Sequence, residues 1–218
     1  MIQAAQFQNA FFKYKSYFLI ALLVIFYSVG LFGLTSSYRD QFLPLSFMNL
    51  AISFIILLIG RHQHSLKFYI FIIASFIIGM SAEWIGVHTG LLFGDYHYGE
   101  SLGFHIFGVP FIIGINWGML SIISATLAAY LKVNKWIKII LGALFMTLLD
   151  MLIEPVAILS DYWVWDGPIP FSNFVTWFLI ALFLQFLYFN LKLAEKNKVA
   201  FTLYIIQVIF FTILNLAL

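Results

Sequence analysis

The chain has 218 residues, of which 63% are hydrophobic and only 9% are charged. A typical soluble domain has about a quarter of its residues charged, so this composition excludes a water-soluble globular fold. The net charge of +2 is too small to indicate a nucleic-acid partner. The chain has no cysteine, which excludes disulfides, thiol catalysis and cysteine-ligated metal within it.

The chain contains seven apolar stretches, each close to the roughly 20 residues that cross a bilayer. We therefore predict an all-α bundle of about seven transmembrane helices, forming a single integral membrane domain over residues 1–218. The expected location is the cell membrane of a bacterium or archaeon. The predicted spans are residues 17–34, 43–60, 68–88, 109–131, 136–158, 173–191 and 199–217.

Basic residues are distributed unequally between the two sides of this predicted bundle. We call the side that holds the N-terminus side one and the opposite side side two; only Arg39 falls on side two. Because cytoplasmic loops are enriched in lysine and arginine, we expect a cytoplasmic N-terminus and an extracytoplasmic C-terminus. The basic residues on side one are Lys13, Lys15, Arg61, Lys67, Lys132, Lys135, Lys138, Lys192, Lys196 and Lys198.

Acidic residues have the opposite distribution, and only Glu195 falls on side one. The positive-inside rule does not account for this, because aspartate and glutamate contribute little to topology. The acids therefore indicate a functional region on side two. They are Asp40, Glu83, Asp95, Glu100, Asp150, Glu154, Asp161 and Asp166.

Three of these acids, Glu83, Asp150 and Glu154, lie inside predicted spans and are the candidate catalytic residues. An ionised side chain at the bilayer centre costs roughly 2.5–3.5 kcal/mol, so such residues need partners, protons or water. Asp150 and Glu154 are four residues apart and share one helical face, and Pro155 is expected to bend or end that helix. Mutual repulsion would keep a proton on one of the pair at neutral pH. The alternative is a structural role, with the carboxyls bonded to indoles, tyrosines or free backbone groups.

The connection after the third predicted span is rich in titratable and hydrogen-bonding groups but has no lysine or arginine. From it we take His88, Asp95, Tyr96 and Tyr98 as candidate substrate-binding residues. The alternative is a tight glycine-bounded loop with interfacial tyrosines. The three histidines of this region are spaced nine and eight residues apart, which matches no helical ligand pair, so no metal site is predicted.

Five of the six tryptophans lie in the side-two half of the bundle, although tryptophan belts normally line both interfaces. We predict that Trp84, Trp117 and Trp163 line a pocket, where aromatic faces can stabilise a cation. Interfacial anchoring is the alternative. Asn116, inside the fourth predicted span, is expected either to position water or to join helices.

Three segments carry a resemblance to a known family. They are EWIGVHTGLLFGDYHYGESLG from Glu83 to Gly103, GVPFIIGINW from Gly108 to Trp117, and DMLIEPVA with the trailing DYWVW from Asp150 to Trp165. The sequence over roughly residues 65–195 resembles the carotenoid biosynthesis membrane proteins, whose characterised members are carotenoid 1,2-hydratases of the bisanhydrobacterioruberin hydratase type.

The resemblance implies addition of water across the terminal C1=C2 double bond of an acyclic (psi) carotenoid end group, giving a tertiary alcohol without a redox cofactor or metal. The partners implied are a hydrophobic carotenoid and membrane lipid, with self-association or association with other carotenoid enzymes also open. A protonated member of the Asp150/Glu154 pair would deliver the proton to C2. Glu83 or the other carboxylate would deprotonate the attacking water. These acids are our own candidates.

Two other functions remain open on the residues. A proton- or cation-coupled transporter also places carboxyls inside the membrane. A carotenoid end-group cyclase also begins by protonating the end of the polyene. A retinal photoreceptor is excluded, because the seventh predicted span has no lysine for a Schiff base.

Overall fold

The computed structural model describes the backbone of residues 2–218 and the side chains of residues 14–218. The helices, in chain order, are α1 (Ile2–Leu34), α2 (Arg39–Phe42), α3 (Leu45–Gly60), α4 (Leu66–Thr89), α5 (Phe111–Tyr130), α6 (Lys135–Leu159), α7 (Phe171–Asn190) and α8 (Lys198–Ala217). The short strands are β1 (Tyr96–Tyr98), β2 (His105–Ile106), β3 (Val109–Pro110) and β4 (Trp163–Trp165).

Six of the described helices are long and apolar enough to cross a membrane, and they confirm the predicted all-α membrane bundle. The second predicted span, residues 43–60, is the 16-residue helix α3, which is shorter than the roughly 20 residues of a spanning helix. Its two ends nevertheless contact opposite ends of the bundle. The Ser46 hydroxyl lies 2.5 Å from that of Tyr162, and Asn197 Nδ2 donates to the Gly60 carbonyl at 3.1 Å.

The helix ends agree with the predicted spans within two residues, except that α1 begins at Ile2. Local capping explains several of them. Ser65 and Asn134 each accept a hydrogen bond from a backbone N–H in the first turn, of α4 and α6 respectively. Gly90, at φ +66°, ends α4 in the left-handed conformation that glycine adopts most readily. Pro155 does not end α6, which continues to Leu159.

Helix α5 is the centre of the bundle. In its most apolar stretch 78% of the residues are buried, against 28–39% in the other five long helices. The outer helices expose large apolar side chains such as Ile73 and Leu148. Such a surface suits lipid rather than water.

A small antiparallel sheet covers the side-two end of the bundle. Strand β1 pairs with β4 so that Tyr96 lies opposite Trp165 and Tyr98 lies opposite Trp163. Because side chains alternate along a strand, these four rings share one face of the sheet. The sequences YHY and WVW therefore place their aromatic residues together.

Buried Arg61 joins two connections at the side-one end. It donates to the Leu193 carbonyl at 2.8 Å and to the Tyr188 hydroxyl at 3.2 Å. Its guanidinium also lies 3.8 Å from the carboxylate of Glu195. These contacts hold the α3–α4 turn against the α7–α8 turn.

Candidate active site

The three embedded carboxyls meet at one cavity of about 30 Å³, beneath the β1–β4 sheet. The cavity has room for about one or two water molecules. Its polar lining beyond the carboxyls includes Asn116 and Asn173. The aromatic side chains that line it are Phe93, Tyr96, Tyr98, Trp163, Trp165 and Trp177.

Glu83, on α4, is buried and accepts three hydrogen bonds. Tyr96 and Tyr98 donate their hydroxyls to Oε2 at 2.5 and 2.8 Å. Trp117 donates its indole N–H to Oε1 at 2.9 Å. Both carboxyl oxygens therefore have partners that suit a negative charge.

Glu154, on α6, is also buried and also accepts three hydrogen bonds. Trp163 and Trp165 donate their indole N–H groups to Oε2 at 2.9 and 3.1 Å. Asn173 donates its amide to Oε1 at 3.0 Å. An indole or an amide NH₂ can only donate, so all three partners require Glu154 to act as an acceptor.

Asp150 lies one helical turn before Glu154 and has a different environment. It is only 2% exposed, and its Oδ2 is buried without a hydrogen-bond partner among the residues that the structure describes. Burying an ionised carboxylate without donors is costly. Asp150 is therefore the carboxyl of the three best suited to carry a proton.

The two tyrosines of β1 remain hydrogen-bond donors. Burial, and then the charge of Glu83, raise the pKa of Tyr96 above the ordinary value for tyrosine. The same two causes, in the same order, raise the pKa of Tyr98. Neither hydroxyl therefore ionises near neutral pH, and both are available to Glu83.

Aromatic rings surround the carboxyls on several sides. Trp117 and Trp177 stack with their centroids 3.9 Å apart and their planes 9° apart. Tyr96 packs against Trp165 at 5.0 Å, and Phe93 packs edge-on against Tyr96 at 6.1 Å. The cavity thus combines buried carboxyls with aromatic side chains.

A family profile described as "Carotenoid biosynthesis protein" matches residues 42–218. The chain belongs to the carotenoid biosynthesis protein family. The matched range contains all three carboxyls and both strands of the covering sheet, and it confirms the resemblance seen in the sequence.

One curated protein that is similar to this chain is the bisanhydrobacterioruberin hydratase of Haloarcula japonica. The two are 25% identical over 117 residues, which are 50% of this chain and 40% of that relative. The chain thus spans about two fifths of the length of that relative. No solved structure matches the chain.

In this carotenoid biosynthesis protein, most of the residues predicted to form the site come together. Glu83, Asp150 and Glu154 line the cavity, and Trp117 reaches it through its bond to Glu83. The other predicted residues on the cavity wall are Asn116, Tyr96, Tyr98 and Trp163.

Trp84, His88 and Asp95 were also predicted to bind substrate, but they lie outside the cavity lining. Trp84 follows Glu83 directly in α4, so the two side chains lie on different faces of the helix. Trp84 is 46% exposed and packs against His88. His88 donates from Nδ1 to the Trp84 carbonyl at 2.9 Å. Asp95 is exposed, and its carbonyl accepts from the N–H of Asp166, which extends the β1–β4 pairing.

Besides Ile113 and Ile153, four residues that line the cavity were not selected from the sequence: Phe93, Trp165, Asn173 and Trp177. The signal for Trp165 was its two-residue spacing from Trp163. Asn173 was recognisable as a polar residue at the start of an apolar helix. Phe93 and Trp177 carry no such signal, because an aromatic residue in an apolar chain is ordinary.

No group of three or more His, Asp or Glu side chains is placed to hold a metal ion within residues 14–218. Glu83 and Glu154 accept hydrogen bonds from indoles, tyrosines and an amide. Asp150 Oδ2 has no partner in the described chain.

Proposed function

We propose that this protein adds water across the terminal C1=C2 double bond of a carotenoid psi end group, producing a tertiary alcohol. The observation that carries the proposal is the contrast inside one water-sized cavity: Asp150 Oδ2 has no hydrogen-bond partner among the described residues, while the two neighbouring glutamates each accept three hydrogen bonds. Membership of the carotenoid biosynthesis family and the similarity to a hydratase support this choice of substrate and reaction.

Asp150 is the general acid in this proposal. Its carboxyl proton is transferred to C2 of the end group, the C1=C2 electron pair forms the new C–H bond, and a tertiary cation is left at C1. General acid catalysis by a positioned side chain contributes typically 10²–10⁴-fold to a rate. Because Asp150 Oδ2 has no donor among the described residues, the neutral form of the acid is favoured, and the proton is present when the substrate binds.

Glu154 is the general base. It already accepts three hydrogen bonds, which stabilise its charged form, yet each carboxylate oxygen has two acceptor sites, so Oε1 can also accept from a water in the cavity. The water oxygen attacks C1 as one of its protons passes to Glu154. The proton then returns to Asp150, one turn away on the same helix, and the site is restored.

The aromatic walls stabilise the intermediate cation. Trp163 and Trp165 line the cavity while their indole N–H groups bond to Glu154. Ring faces attract a cation through their quadrupole, and the attraction is strongest for tryptophan in a desolvated site. Glu83, held by Tyr96 and Tyr98, adds a fixed negative charge nearby.

The cavity is water-sized, so the carotenoid end group binds only if the cavity widens. The β1–β4 sheet covers the cavity, and four of its side chains bond to Glu83 and Glu154. In this proposal the loops that flank the sheet move to admit the end group, while the sheet keeps these bonds. The remaining polyene stays in the surrounding lipid.

The test is co-expression of the chain in a host that accumulates lycopene or gamma-carotene, followed by mass analysis of the extracted pigments. We expect a product heavier by one water with the unaltered chain and its absence with Asp150→Asn. A product of unchanged mass with a new absorption spectrum would indicate cyclisation instead. Unaltered pigments in membranes that contain folded protein would contradict the proposal.

A further inference from the structure

A second cavity, of about 230 Å³, lies between α1, α3 and α8, and none of the three carboxyls lines it. Phe26, Val29 and Met48 line it and are exposed on the outer surface of the bundle, so the cavity opens toward lipid. Its inner wall contains the buried side chains of Tyr27 and Gln207. A long molecule dissolved in the bilayer can therefore reach it from the side.

The inner wall carries two amide oxygens that no group in residues 14–218 satisfies. Gln207 is 2% exposed, and its Nε2 donates to the Tyr27 hydroxyl at 3.0 Å, whereas its Oε1 has no hydrogen-bond partner in the described chain. Asn49 also lines the cavity, and its Oδ1 is likewise buried without a partner among those residues. Unpaired buried acceptors of this kind are uncommon and costly.

A hydroxyl group suits this pair of amides. Its one proton can be donated to one of the two amide oxygens, and its oxygen can accept from the NH₂ of the other amide when that amide is turned, an orientation that is a matter of assignment. A cavity of about 230 Å³ is below the roughly 300–1,000 Å³ of pockets that hold a whole ligand. It therefore suits one end of a long apolar molecule whose remainder lies in lipid.

We propose that the cavity between α1, α3 and α8 binds the hydroxylated end of a long isoprenoid, a tertiary alcohol, through Gln207 and Asn49. This proposal rests on the proposed function, because a tertiary alcohol is the product of the hydration. Helix α6 separates the two cavities: Ile153 and Glu154 line the first, and Val156 lines the second. The hydroxylated end thus has a binding site adjacent to the place where it forms.

The test measures retention of two probes by the purified full chain in lipid nanodiscs: lycopene, and lycopene hydrated at one C1=C2 bond. The variants are Gln207→Met, which removes the amide at similar volume, and Gly30→Leu, which fills the cavity. Gly30 lines the cavity, and a Cβ there would meet Phe210 at an ordinary 3.7 Å. The matched control is Gln185→Met: Gln185 is buried and does not line the cavity, and its Oε1 also has no partner within residues 14–218.

We expect the unaltered chain and Gln185→Met to retain the alcohol several-fold more than lycopene, and both cavity variants to retain the two probes equally. Equal retention by the unaltered chain, or undiminished preference in both cavity variants, would overturn the site. Hydration is scored separately by product mass. Hydration without selective retention of the alcohol would contradict only the second binding site. Selective retention without hydration would contradict only the proposed function.

Discussion

Asp150 and Glu154 line the same cavity from successive turns of α6, yet three N–H groups point at Glu154 and none satisfies Asp150 Oδ2 within the described residues. Two carboxyls of nearly identical chemistry thereby acquire different roles. In enzymes, two carboxyls act as acid and base when their surroundings favour the protonated form of one and the ionised form of the other.

Asp150→Asn is expected to abolish hydration while leaving the fold intact. The change is nearly isosteric and breaks no hydrogen bond to Oδ2, but it removes the transferable proton. We expect hydratase activity to fall by about 10²-fold or more, with a thermal midpoint in detergent close to that of the unaltered chain. Full activity in a folded Asp150→Asn protein would remove Asp150 from the mechanism.

Glu154→Gln is expected to lower stability as well as activity. The glutamine NH₂ would face donors from Trp163, Trp165 or Asn173, leaving at least one buried donor unpaired. Such a loss costs about 1–3 kcal/mol. The measurement is the thermal midpoint in detergent beside that of Asp150→Asn; equal midpoints for the two variants would show that the hydrogen bonds to Glu154 contribute little.

Two glycines at the α4–α5 interface provide a matched pair of substitutions. A Cβ at Gly79 would lie 2.4 Å from the Trp117 ring, whereas one at Gly118 would meet only Ser75, at 3.9 Å. Gly79→Ala should displace Trp117 from Glu83 and lower both activity and thermal stability, at an overpacking cost of about 1–3 kcal/mol.

Gly118→Ala should be neutral or stabilising, because alanine favours helix over glycine by about 1 kcal/mol. Melting in detergent and product yield would be measured for both variants. Equal behaviour of the two would contradict the packing of Trp117 against α4.

Introduced cysteines can test the predicted orientation, because the chain has none of its own. Lys132 and Asp166 are exposed and lie in connections on opposite sides of the bundle. If the N-terminus is cytoplasmic, a membrane-impermeant maleimide applied to intact cells should label Asp166→Cys and should label Lys132→Cys only after the cells are opened. The reverse labelling would show that the acidic side faces the cytoplasm.

The helices were largely predictable because the length of an apolar stretch is a local property. The predicted span 136–158 corresponds to the helix Lys135–Leu159, and 199–217 to Lys198–Ala217. Helix α3 has only 16 residues, which is short for a spanning helix. Its contacts through Ser46 at one end and Gly60 at the other place those ends at opposite ends of the bundle.

The sequence by itself determined the helical membrane class, the three embedded carboxyls and the shared helical face of Asp150 and Glu154, since each depends on composition or short spacing. Only the tertiary structure decided which groups satisfy the carboxyls. Tyr96 and Trp117 reach Glu83 from different segments, and Asn173 reaches Glu154 from another helix. Such contacts depend on how distant segments pack, which no local pattern encodes.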